Sequence, residues 1–202
     1  MTEDSAFAAA VPTVAAEAVR HALLGENLDT DALLARLTGT DEPLAEALRR
    51  EGASFVTLQR DGKLRGCIGT LIAHRRLLDD VAHNARKAMN DPRMPAVDRR
   101  EWPQLSISVS VLSPPTPLPI TDRADLEAAL RPGVDGLTLR EGGRRATFLP
   151  SVWESLPKPA DFVAALLRKG GWDSDWPQAM TAETYGTDYY TSAPPRPPLE
   201  ET

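Results

Sequence analysis

The sequence predicts an α+β protein with a mostly antiparallel sheet and flanking helices. Two pairs of strand-like runs are joined by tight-turn residues, at Asp61-Gly62 and at Glu141-Gly142-Gly143-Arg144. Leu105, Ile107, Val109 and Val111 alternate with Ser106, Ser108 and Ser110, the period-two signature of a strand. Helical apolar spacing falls between these strands without the regular alternation of a βαβ fold.

Taken in order, residues 1–12 are Ala-rich and unpatterned, which predicts a frayed terminus that becomes helical from Val14 to Leu24 and stops at Gly25. Asp29 to Leu37 and Asp41 to Arg50 predict two short helices, the second capped by Asp41 with Pro43 in its first turn. Phe55 to Leu58 and Leu64 to Leu71 form the first hairpin, and Cys67 lies on its second strand. Arg76 to Met89 is helical by the spacing of Leu77, Leu78, Val81, Ala82, Ala85 and Ala88, and Asp91-Pro92 ends it. After the serine-alternating strand, the four prolines of Ser113 to Pro119 predict an extended, rigid crossover. A short helix over Asp122 to Leu130, the second hairpin (Gly136 to Arg140, Arg145 to Leu149), a helix from Pro159 to Lys169 and a last strand from Tyr185 to Thr191 complete the series. The proline-rich end from Ser192 is expected to be disordered.

Length and charge narrow the class. The 202 residues suit one large domain or two packed lobes, and the net charge of −6 describes an acidic chain. No run approaches the ~18 apolar residues of a membrane span, and the acidic start is unlike a secretory signal, so no membrane association and a cytoplasmic location are expected. One cysteine excludes an intrachain disulfide and Cys-rich metal sites. Within this acidic chain, residues 63–100 carry a net +5, which points to an anionic ligand or to arginines on solvated helix faces.

The chemistry-bearing segment is Leu64-Arg65-Gly66-Cys67-Ile68-Gly69-Thr70. Glycines in a strand mark a bulge or a close approach, and a cation near a cysteine favours its thiolate, so Cys67 is a candidate nucleophile with Arg65 on its face. The alternative is a buried structural cysteine. His74 and His83 follow Cys67 at spacings that fit no compact zinc motif, so neither metal nor cofactor is expected. Asn84, with Asp91-Pro92-Arg93 just beyond, offers either a polar cluster or an ordinary helix end with Asn84 exposed and Asp91 paired to Arg93. Trp153, Trp172 and Trp176 are expected in packing rather than in a base-stacking platform.

The heptapeptide Leu64 to Thr70 resembles the hallmark of the AMMECR domain family, whose bacterial members are called AmmeMemoRadiSam system protein A. Asn84-Ala85, Asp91-Pro92-Arg93, Leu105 to Pro114, Asp135-Gly136-Leu137 and Gly142 to Pro150 agree with it in order. The resemblance implies a single domain over 10–191, with two unequal subdomains around a cleft and flexible termini at 1–9 and 192–202. It implies no settled activity, and carries over a candidate site in which Cys67 and Arg65 are expected to be catalytic and Gly66, Gly69, Thr70, Asn84, Asp91 and Arg93 ligand-binding. The family's usual aromatic after Asp-Pro-Arg is here Met94, and the acidic residue that often follows the heptapeptide is absent from Leu71-Ile72-Ala73-His74. The expected function is modification of a small molecule or nucleic acid in a cleft around Cys67, with arginines holding an anionic ligand or RNA. The alternative is a non-catalytic partner of Memo-type and radical S-adenosylmethionine proteins; sequence-specific nucleic-acid binding is a third reading, disfavoured by the acidic total.

Overall fold

The computed structural model describes residues 3–172 and 176–199. Its elements run α1 (Glu3–Leu24), α2 (Thr30–Thr38), α3 (Glu42–Arg49), β1 (Ala53–Arg60), β2 (Lys63–Gly69), α4 (Leu77–Ala88), a 3-10 helix (Arg99–Gln104) and β3 (Leu105–Leu112). There follow β4 (Thr116–Leu118), α5 (Arg123–Ala129), β5 (Gly136–Glu141), β6 (Arg144–Phe148), a second 3-10 helix (Pro150–Glu154), α6 (Pro159–Gly170), β7 (Thr181–Tyr185) and β8 (Thr187–Ser192). The α+β class is as the sequence predicts, with two four-stranded sheets, and the chain divides into two compact units.

The first unit, Met1–Leu112 with Asp188–Thr202, holds the sheet β2-β1-β3-β8. Val56 and Leu58 of β1 and Leu105, Ile107 and Val109 of β3 are fully buried in one core with α1 and α4. Thr57 and Ser108 occupy the opposite face, as strand alternation requires. Asp29 caps α2 and Asp41 caps α3, each accepting backbone N–H bonds.

α1 corrects two expectations. It starts at Glu3 rather than near Val14, because Ala6 and Ala10 are buried and Phe7 meets Tyr190 of β8 edge-on at 5.5 Å. An alanine-rich helix packed on several sides has no single apolar stripe to read. For the same reason Ser5–Leu24 is long and apolar enough, by length and composition, to cross a membrane, yet Val11, Val14, Ala15, Ala18 and Val19 are wholly enclosed by the core. The other end is also anchored. Arg196 Nε donates to Leu105 O at 2.7 Å, the guanidinium lies over Trp102, and Trp102 Nε1 donates to Pro197 O at 2.8 Å. Of the two termini expected to be flexible, residues 1–2 and 200–202 lie outside the described residues.

The second unit, Ser113–Thr187, holds the sheet β4-β7-β5-β6. Leu137 and Leu139 of β5 pack with Phe162 and Leu166 of α6, and Trp153 stacks on Phe162 at 3.8 Å. Trp172 is buried in the same cluster and Trp176 packs against it, the structural role expected. The proline segment contributes β4, an edge strand in which Pro117 opposes Glu183, a place where a missing N–H is tolerated. The single terminal strand expected over Tyr185 to Thr191 is two strands, β7 and β8, in different sheets, broken at Gly186.

Candidate functional site

The hairpin β1–β2 turns at Asp61 (φ 51°) and Gly62 (φ 73°), the left-handed pair of a type I′ turn. From such a turn an uninterrupted ladder would set Cys67 opposite Val56, on the core side. The register instead slips between Leu58 and Gln59: Gln59 opposes Leu64, Leu58 opposes Gly66, and Arg65 is the extra residue of a bulge. The slip puts Cys67 opposite Thr57, on the outer face.

The same bulge carries Arg65 away from the thiol. Its Nε donates to Glu101 Oε2 at 2.5 Å and its Nη2 to Oε1 at 2.8 Å, a two-pronged pairing with a buried carboxylate. The Arg65 guanidinium, with further help from the Asp98 N–H and Arg60, outweighs burial and holds Glu101 down at about 2.

Cys67 and Thr57 form a pair whose backbone bonds do not join them, so the Cys67 N–H and C=O point to the free edge of β2. Asp91 and Arg93 satisfy both. The N–H donates to Asp91 Oδ2 at 2.9 Å, and Arg93 Nη2 donates to Cys67 O at 3.1 Å. Arg93 also donates to Asp91 through Nε at 2.9 Å and Nη2 at 2.6 Å. These Arg93 bonds, then the Cys67 and Arg93 N–H groups, hold the Asp91 carboxyl far below the usual carboxylate range. Asp91 is 1% exposed, whereas the Arg93 side chain is 62% exposed.

The two glycines are filled by the protein itself. A Cβ on Gly66 would lie 1.9 Å from Ala88 O at the end of α4, and one on Gly69 would lie 2.1 Å from the Phe55 ring. The close approach foreseen from the glycines is therefore that of a helix end and an aromatic ring. Asn84 is 2% exposed, not at a solvated helix end as its ordinary reading had it. Its Nδ2 donates to Ser54 O, to Thr70 Oγ1 at 3.1 Å and to Asp80 Oδ2 at 2.9 Å, and Asp80 also accepts from the Ser54 N–H and hydroxyl. This network pins the start of β1 and the end of β2 to α4.

The Cys67 sulfur is half-buried and accepts from the Thr57 hydroxyl at 3.3 Å. Thr57 opposes Ser108, whose Oγ is 3.2 Å from Thr191 Oγ1. A thiol and three hydroxyls thus cross all four strands on the outer face, with the exposed Arg93 guanidinium at the β2 edge. That arrangement offers a nucleophile, small hydrogen-bonding groups and one cation. Thr57, Ser54, Asp80 and Glu101 were not singled out from sequence; the bulge hid the pairing of Thr57, and the bonds that join Ser54 to Asp80 and Arg65 to Glu101 span 26 and 36 residues.

The AMMECR1 family model matches residues 13–190. The chain belongs to the AMMECR1 family. A protein from Methanothermobacter thermautotrophicus is 39% identical over 112 residues, 55% of this chain and 58% of that relative. One from Methanopyrus kandleri is 30% identical over 154 residues and 72% of each chain, and one from Thermotoga maritima is 34% identical over 142 residues, 67% of this chain and 78% of its own. The crystal structure of an uncharacterized protein from Pyrococcus horikoshii is similar in fold, with a TM-score of 0.73 at 24% identity over 93% of this chain and 92% of that one. The AMMECR1 match spans both units and contains every site residue named above except Thr191, which lies one position beyond it.

Proposed function

We propose that this AMMECR1-family chain is a cytoplasmic protein that modifies a small molecule or nucleic acid on the outer face of its first sheet. Cys67 is the nucleophile or covalent acceptor there, and Arg93 holds an anionic group. The observation that carries this reading is the half-buried sulfur bonded to the Thr57 hydroxyl within a row of Ser108 and Thr191. Arg65 acts as a positioning residue, since its guanidinium is committed to Glu101. Gly66, Gly69, Thr70, Asn84 and Asp91 serve the ligand site by holding β2 in place.

Iodoacetamide labelling of the native protein tests it. Cys67 is expected to be alkylated under native conditions, and Thr57→Val is expected to change the rate without unfolding the chain. A thiol that reacts only in denaturant overturns the reading.

A second reading is that of a non-catalytic partner of Memo-type and radical S-adenosylmethionine proteins. It is favoured by Leu64, Leu71 and Ile72, which are 37, 36 and 54% exposed on and just after the hallmark strand. Co-purification separates the two: a stoichiometric complex indifferent to Cys67→Ser supports docking, whereas loss of pathway function with the complex intact supports chemistry.

A further inference from the structure

The positive excess of residues 63–100 is not spent evenly. Arg65, Arg75, Arg76 and Arg93 are ion-paired with Glu101, Asp80, Asp79 and Asp91. Arg86 and Lys87 make no ion pair among the described residues, and both are exposed on the last turn of α4. With His83 one turn earlier and Arg99, they line an open groove of about 1000 Å³ beside the end of α1, within the first unit. Its floor includes Leu23, Met89 and Val97. Two acids share the lining: Glu26 lies 3.1 Å from His21 Nδ1, and Asp98 caps the 3-10 helix by accepting the Arg100 N–H at 2.8 Å. Burial first, and then the fields of Arg75 and Lys87 against that of Asp80, lower the His83 imidazole below its ordinary value.

We infer that this groove binds a phosphorylated small molecule, its phosphates on Arg86 and Lys87 and its less polar part on the Leu23–Met89–Val97 floor. Two cations on one helical turn, neither in an ion pair among the described residues, beside an open groove of ligand size that carries an apolar patch, match a phosphate group attached to an uncharged body. Cys67 takes no part, so this site stands apart from the proposed reaction on the outer sheet face.

Calorimetric titration of the full chain with inorganic pyrophosphate at low salt tests the assignment. The expected result is binding that weakens roughly tenfold or more in Arg86→Glu/Lys87→Glu and is unchanged in Cys67→Ser. A matching melting temperature for the double variant keeps loss of fold apart from loss of site. No binding, or equal binding by the double variant, overturns the proposal. A single-stranded RNA oligonucleotide serves as the second probe. RNA binding that depends on Arg86 and Lys87 while pyrophosphate fails to bind assigns the groove to nucleic acid and overturns it as well, whereas displacement of RNA by pyrophosphate supports it.

Discussion

Gly66 shows how a residue that suggests an open hollow can instead be a contact. Its missing side chain lets the last turn of α4 sit against β2, with Ala88 O only 1.9 Å from where a Cβ would be. The obstacle is backbone at the end of a core helix, so it cannot swing aside as a long side chain would. Gly66→Ala is accordingly expected to destabilise the protein by about 2–4 kcal/mol, measured by urea unfolding, as overpacking against fixed backbone does. Gly69 differs in kind, because its neighbour is the Phe55 side chain. A Gly66→Ala variant as stable as wild type would mean that the α4 end is not held where the structure puts it. The glycines were legible in the sequence; their partners, 22 and 14 residues away along the chain, were not.

At the scale of elements, the bulge in β2 and the Asp91–Arg93 pair organise the candidate site. Asp91 and Arg93 close the strand edge at Cys67 much as a neighbouring strand would, blunting an edge that could otherwise pair with another chain. The Arg65–Glu101 pair then ties β2 to the 3-10 helix. Glu101 titrates at about 2 in the fold, below its ordinary 4.5, so the folded state favours its charged form. The stability this supplies is complete above pH 4.5 and lost as pH falls from there toward about 2. Relative to wild type, Glu101→Gln should show a lower urea midpoint that is constant above pH 4.5 and converges with wild type as the pH drops through that window. A difference independent of pH across the window would count against the pairing. The helices and hairpins were readable from caps, turn residues and apolar spacing. β7 was missed because it shares one polar-aromatic run with β8, and only Gly186 marks the division.

The whole molecule is built as one unit inserted into another. The second unit leaves β3 after Leu112 and returns at β8, and at that junction Ser113 N donates to Gly186 O at 3.0 Å. The two ends of the insertion are therefore adjacent, and each unit has its own hydrophobic cluster. Replacing residues 114–185 with a short Gly-Ser turn is expected to leave a folded first unit, with protected amides in β1 and β3 by hydrogen exchange. An unfolded circular-dichroism spectrum would refute the independence of that core.

Local patterns in the sequence determined the α+β class, the two hairpins, most helices and the glycine-flanked cysteine, because turn chemistry and apolar periodicity act over a few residues. Tertiary structure alone decided which way that cysteine faces. One unpaired residue in β2 shifts the ladder by a single step, and in a pleated strand one step exchanges core for surface. The acceptor that draws Arg65 out of line, Glu101, lies 36 residues further along the chain, and only the folded chain brings the two together.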